Sequence, residues 1–287
     1  VTIGAARSAR KDDGSMLFLR SAVFNAFFYL HTIYRLLVML PSAFGTKRSV
    51  MAQVNRWAWV NRRAITVIAG VEVEIRGLEH VPTGGALLAS KHQSTFETVA
   101  LLDLFTDPTF VLKKELRSIP LFGLYTKVAD QIAVDRTAGR AALKEMTALA
   151  EAAVAAGRQI IIYPEGTRRP AGAEPAYKQG VAHLYRELGV PMVPVALNTG
   201  LFWGRHQFLR RPGLLVVEFL PPIPPGLPAR AAFGRLVEAI EAGTDRLIAE
   251  ALARPNPPVL PAEGADFHAR QAARAAGREI GEAGATP

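Results

Sequence analysis

From Met16 to Phe44 the chain is almost continuously apolar, MLFLRSAVFNAFFYLHTIYRLLVMLPSAF, and Arg20, His31 and Arg35 interrupt it. The longest uncharged stretch, Ser21 to Tyr34, falls short of the ~20 residues that a spanning helix needs. Snorkelling of Arg20 and Arg35 would extend it. Residues 47–69, KRSVMAQVNRWAWVNRRAITVIA, set Trp57 and Trp59 among Arg48, Arg56, Arg62 and Arg63. Tryptophan beside arginine on an amphipathic helix suits the headgroup boundary of a bilayer. Pro41 and Gly45 separate the two segments. The pattern predicts an apolar, basic, membrane-associating two-helix hairpin over residues 16–70, with a buried core hairpin as the competing reading. Residues 1–15 read as a polar leader, with Met16 expected as the true start. No small-x-small site follows the apolar run, which argues against a cleaved signal peptide.

From residue 71 the pattern changes. VEVEIRG (71–77), ALLAS (86–90), TFVLK (109–113), QIAVD (131–135), QIIIYP (159–164), MVPVALN (192–198) and LLVVEFL (214–220) read as strands. Segments near 95–105, 139–156 and 176–188 have helical spacing. Strands alternating with helices predict an α/β domain over 71–254, with a central, mostly parallel sheet flanked by helices. PPIPPGLP (221–228) is a stiff linker to a last helix near 229–252. The Pro/Ala/Arg-rich tail, 255–287, is expected to be partly disordered.

Composition narrows the chemistry. The 287 residues contain no cysteine, which excludes disulfides, thiolate nucleophiles and cysteine-ligated metals. The formal net charge of +9 implies a polyanionic partner: nucleic acid, an anionic membrane or a phosphorylated substrate. No nucleic-acid-binding motif accompanies the charge.

Two strings carry the chemistry. In KHQSTFET (91–98), Ser94 and Glu97 fit the spacing of a capping box. That leaves His92 without a structural role. A helix N-terminus disfavours imidazolium, and a neutral imidazole is what a general base for a hydroxyl requires. Five residues within one helix would put His92 and Glu97 about 140° apart. With His92 in the turn and Glu97 in the first helical turn, the two converge. In IIIYPEGTRR (160–169), an apolar strand runs into a turn carrying Glu165, Gly166, Thr167 and Arg168, where open α/β sheets bind ligands. Lys113 and Arg136 also close strands. Three cations at the ends of three strands suit a phosphomonoester.

These blocks resemble the lysophosphatidic acid acyltransferases, or 1-acyl-sn-glycerol-3-phosphate acyltransferases, of the glycerolipid acyltransferase superfamily. The likeness rests on His92 to Glu97, Asp135-Arg136, the intact Tyr163 to Arg168, VPMVPVALN at 190–198, and Lys113 to Leu116 with Ile119 to Gly123. It covers residues 75–220, with the blocks in the family's order. One departure is Glu97, where the family usually has aspartate.

The resemblance implies acyl transfer from acyl-CoA or acyl carrier protein to the free hydroxyl of 1-acyl-sn-glycerol 3-phosphate, giving phosphatidic acid. His92 would be the base and Glu97 its support. Glu165, Gly166 and Thr167 would shape the acceptor site, and Lys113, Arg136 and Arg168 would hold its phosphate. No metal, cofactor or acyl-enzyme is implied. The partners expected are the lysophospholipid, the thioester donor and an anionic membrane surface, at the cytoplasmic face of a bacterial inner membrane, with no nucleic acid. Lyso-ornithine lipid, lysophosphatidylcholine and glycerol 3-phosphate remain alternative acceptors. A hydrolase built on Ser94 lacks the G-x-S-x-G elbow. A non-catalytic basic membrane-binding module would have no use for a histidine–carboxylate pair.

Overall fold

The computed structural model describes the backbone over residues 3–264, with side chains from Gly14 onward apart from Glu263. Of the expected tail, everything beyond residue 264 lies outside the described residues. Helix α1 (Ile3–Val38) runs through the polar leader without a break at Met16. A 3-10 turn containing Pro41 leads to α2 (Lys47–Ala64), whose first turn is capped by Thr46 accepting from the Ser49 amide. A π-turn, Ile65–Ala69, continues α2 to Gly70.

α1 buries one stripe. Ser21, Phe24 and Phe28 are buried, while Phe18, Leu19, Leu30, Ile33 and Leu37 are each more than half exposed. The three residues that interrupt its apolar run are turned inward. Arg20 Nε donates to Ile68 O (2.8 Å), His31 Nδ1 meets Asn61 Nδ2 (3.3 Å), and Arg35 donates to Gln53 O (3.2 Å) and to the Gln53 side chain. This corrects the expectation of snorkelling, because both guanidiniums satisfy carbonyls of the second half of the hairpin. The helix is also tied to the body of the protein. Ser21 Oγ accepts from Arg210 N (2.9 Å), Tyr125 donates to Leu36 O (2.5 Å), and Phe24 and Phe28 meet Trp203 edge-on.

Among the described residues seven strands follow: β1 (Val71–Arg76), β2 (Ala86–Ser90), β3 (Thr109–Lys113), β4 (Ile132–Val134), β5 (Gln159–Ile162), β6 (Met192–Leu197) and β7 (Gly213–Phe219). Their order is β1-β7-β6-β2-β5-β3-β4. All neighbouring pairs are parallel except β6–β7. The helices are α3 (Phe96–Leu104), α4 (Phe122–Val128), α5 (Gly139–Ala155), α6 (Gly180–Leu188) and α7 (Ala229–Leu252). β2 and β6 are buried at every position, as a sheet covered on both faces requires. Alternation along β2 sends Leu88 towards Phe24, Val99 and Trp203, and Leu87 and Ala89 towards Met146, Leu184 and Leu236. β6 reaches β7 through a loop with no crossover helix, and this pair is the one that reverses. The remaining five strands, β2 to β6, point the same way, so their carboxyl ends share one edge.

Gly70 joins hairpin to sheet at φ 72°, and a Cβ there would sit 2.7 Å from the Arg20 guanidinium. Gly70→Ala is expected to cost about 1–2 kcal/mol from the left-handed backbone alone. A thermal melt should therefore fall by roughly 2–8 °C, and an unchanged melt would show that the left-handed backbone at position 70 can relax without cost.

Candidate active site

The shared edge gathers the chemistry. β2 ends at Ser90, and His92 lies in the loop that enters α3. Its Nδ1 is 2.8 Å from Glu97 Oε1. The same oxygen accepts the backbone N–H groups of Gln93 (2.8 Å) and Ser94 (2.7 Å), and Oε2 accepts the Thr199 hydroxyl (2.9 Å). Glu97 is fully buried. It therefore both caps the helix entry and orients the imidazole. A hydrogen bond from Nδ1–H to a carboxylate leaves Nε2 as the accepting nitrogen, which is the tautomer of a general base.

The His92 ring stacks on Tyr163, with centroids 3.9 Å apart and planes 16° from parallel. The Tyr163 hydroxyl pairs with Thr98 (3.0 Å), and burial, with Glu97 nearby, pushes this phenol well above its usual range. Ser94 is fully buried and its Oγ accepts from the Phe96 amide (3.0 Å), two residues on rather than the three of a regular capping box. This satisfied, buried hydroxyl is not placed as a nucleophile.

The turn after β5 is stitched to the histidine loop. Arg169 N donates to His92 O (2.8 Å), and Arg168 Nη1 donates to Thr95 Oγ1 (2.8 Å). Gly166 adopts φ 69°, and its carbonyl accepts Arg136 Nη1 (2.7 Å). Asp135, beside Arg136, accepts from the Thr137 amide (3.0 Å) and hydroxyl (2.6 Å); these bonds, with Lys114 nearby, hold its carboxyl below the usual range.

His92, Lys113, Arg136, Gly166, Thr167 and Arg168 all line one cavity of about 920 Å³. Glu165 does not. Its side chain is fully buried and ion-paired with Lys91 (3.0 Å), so it can shape the acceptor site only by holding the turn from behind, not by lining the cavity. A carboxylate facing an anionic substrate would oppose binding, and among the described residues no aspartate or glutamate lines the cavity.

Three residues of the site were missed in the sequence. Lys178 and Arg205 add cations to the lining, Arg205 reaching Arg168 O (3.4 Å), and Thr199 holds the far oxygen of Glu97. Lys178 precedes α6 and Arg205 lies in the long β6–β7 loop. No local motif marks either of them. Apart from Arg35 and a few neutral polar groups, the remaining lining is apolar and includes Phe28, Leu36, Met51 and Trp57 of the hairpin with Phe110 and Tyr125 of the domain.

A family model described as Acyltransferase matches residues 72–198. A 1-acyl-sn-glycerol-3-phosphate acyltransferase of Pseudomonas aeruginosa is 32% identical over 208 residues, covering 71% of this chain and 78% of that one. Its namesake from Cocos nucifera is 30% identical over 190 residues, 66% and 60% of the two chains. The crystal structure of the 1-acyl-sn-glycerophosphate (LPA) acyltransferase from Thermotoga maritima superposes with a TM-score of 0.68 at 21% identity, covering 83% of this chain and 98% of that chain. That last likeness carries the fold alone. The sheet, the histidine–glutamate pair and these matches define an acyltransferase. Within that class, the chain belongs to the family of 1-acyl-sn-glycerol-3-phosphate acyltransferases.

Glu97→Gln preserves shape and one accepting oxygen, and its amide can donate to the Thr199 hydroxyl. The variant is expected to lose about 1–3 kcal/mol in a denaturant melt. Loss of the orienting carboxylate should lower turnover by about 10⁴-fold, as for the analogous change in a Ser-His-Asp triad. A folded variant with unchanged turnover would restrict Glu97 to capping.

Proposed function

We propose that the protein transfers a fatty acyl group from the thioester of acyl-CoA or acyl carrier protein to the free hydroxyl of 1-acyl-sn-glycerol 3-phosphate, giving phosphatidic acid. The observation that carries this reading is a single cavity with His92 on its wall, six cations (Arg35, Lys113, Arg136, Arg168, Lys178, Arg205), no carboxylate among the described residues, and a mostly apolar remainder shared with the hairpin. The cations suit a phosphomonoester better than the singly charged phosphodiester of lysophosphatidylcholine or the phosphate-free lyso-ornithine lipid. The apolar part suits acyl chains.

In this reading His92 Nε2 takes the hydroxyl proton as the oxygen attacks the thioester carbonyl. Glu97 stabilises the imidazolium that forms. The tetrahedral intermediate expels the thiolate, which recovers the proton from His92. The acyl group passes directly between substrates, and the enzyme carries none of it.

The reading places this chemistry at a membrane surface. Phe44 and Val67 are 85% and 78% exposed, and Leu30, on the exposed apolar face of α1, is 67% exposed. Residues 14–38 are long and apolar enough to cross a bilayer. Yet Ser21 and Leu36 of α1 are hydrogen-bonded to the domain and Phe24 and Phe28 pack on Trp203, which favours a helix lying in the interface over one that crosses alone. Both proposed donors are cytoplasmic, which fits the inner leaflet of a bacterial inner membrane.

Acyl transfer from labelled acyl-CoA and acyl carrier protein to a panel of lysolipids tests the assignment. Transfer is expected to 1-acyl-sn-glycerol 3-phosphate and to be abolished in His92→Ala; preference for lyso-ornithine lipid would overturn it. Arg168→Ala is expected to lower kcat/KM for the acceptor by roughly 10–100-fold, the worth of one charged hydrogen bond. Equal loss with an uncharged hydroxyl acceptor would detach Arg168 from phosphate. On anionic vesicles the protein should co-sediment and stay bound in high salt, which screens charge but not apolar burial. Release by salt would rule out apolar insertion.

A further inference from the structure

The catalytic edge rests on a buried charge cluster that the proposed chemistry does not use. Lys91 directly precedes His92 but is only 2% exposed. Its Nζ lies 3.0 Å from Glu165 Oε1 and 2.7 Å from Glu241 Oε1. The Tyr177 hydroxyl donates to that same Glu241 oxygen (2.5 Å), and the Tyr177 ring lies 5.3 Å from Nζ. Glu241 comes from the middle of α7, outside the stretch that the acyltransferase family model matches. Four side chains thus join the β2 end, the turn after β5, the segment before α6, and the last helix.

Such a cluster is expensive. A buried ion pair gains little over apolar packing, and here two carboxylates share one ammonium. Burial pushes the Glu165 carboxyl up, with Lys91 and the His92 backbone amide opposing. Stability alone is a weak reason for the arrangement.

Its connections supply a better one. Glu165 opens the turn whose next residue, Gly166, binds Arg136, and whose Arg169 amide holds the His92 carbonyl. Lys91 grips that turn from the residue beside His92. The base and the phosphate-binding cations are therefore set at their spacing by one ammonium, and the position of that ammonium is fixed from outside by Glu241 and Tyr177.

We propose that Glu241 and Tyr177 are positioning residues. Through Lys91 and Glu165, α7 holds the His92 loop and the 165–169 turn in register. The proposal deepens the acyltransferase reading and rests on it. A displacement near 1 Å of such groups costs on the order of 10²-fold in rate.

The test uses the full chain. Glu241→Ala is expected to lower kcat by about 10–100-fold with the donor KM little changed. Glu241→Gln, which keeps an acceptor for Lys91 or Tyr177, should recover most of that loss. Tyr177→Phe, which deletes one hydroxyl, should fall in between and covers the case in which Glu241→Ala does not fold. Hydrogen exchange in peptides spanning 91–97 and 163–169 should quicken in Glu241→Ala and Tyr177→Phe. It should not change in Glu238→Ala, an exposed site on the same helix. Folded variants with a lower melting temperature but wild-type kcat and unchanged exchange would reduce the cluster to a stability element and overturn the proposal. Exchange is read without substrate, so a wrong substrate assignment would show as an inactive wild type and leave that result standing.

Discussion

A carboxylate removed completely from water is tolerated only where hydrogen-bond donors replace its hydration shell. Glu97 has four donors: the His92 ring, two backbone amides of the 92–95 loop, and the Thr199 hydroxyl. Those donors come from two loops at the carboxyl edge of the sheet. Satisfying one side chain therefore brings the end of β2 and the end of β6 together and aims the imidazole. The tautomer, the loop conformation and the start of α3 follow from the same contact. The longer glutamate in place of the family's usual aspartate still reaches His92 with one oxygen while the other meets Thr199.

The parallel sheet makes this possible. Five strands with a common direction end at one edge, so residues far apart in the chain converge there without long-range motifs. The cation cluster is assembled by the same rule, with Lys113, Arg136 and Arg168 each standing at or just past a strand end. Their electrostatic effect is concentrated because the cavity lining holds no opposing carboxylate among the described residues.

Much of this was legible from residue order. All seven strands and the helices α3, α5, α6 and α7 follow from periodicity, and the convergence of His92 with Glu97 follows from turn-to-helix geometry. The direction of Glu165 did not. A residue just past a strand end can face either side of the sheet, and only Lys91, 74 positions away, decides it. Lys91 itself reads as one more loop cation until Glu241, 150 positions on, is seen beside it. The polar residues of α1 were misread for a related reason. Alone, Arg20 and Arg35 look like membrane-boundary charges, but their partners, Ile68 O and Gln53, exist only once α2 folds back.

The lengthwise docking of α1 has a consequence for substrate choice. Ser21 and Leu36 hold the described part of the helix to the catalytic body near both of its ends. The distance from that helix to His92 is then set by the fold. On the membrane reading proposed above, a helix lying in the interface would act as a fixed-depth gauge, holding the imidazole at one level beneath the headgroup and favouring hydroxyls that sit there.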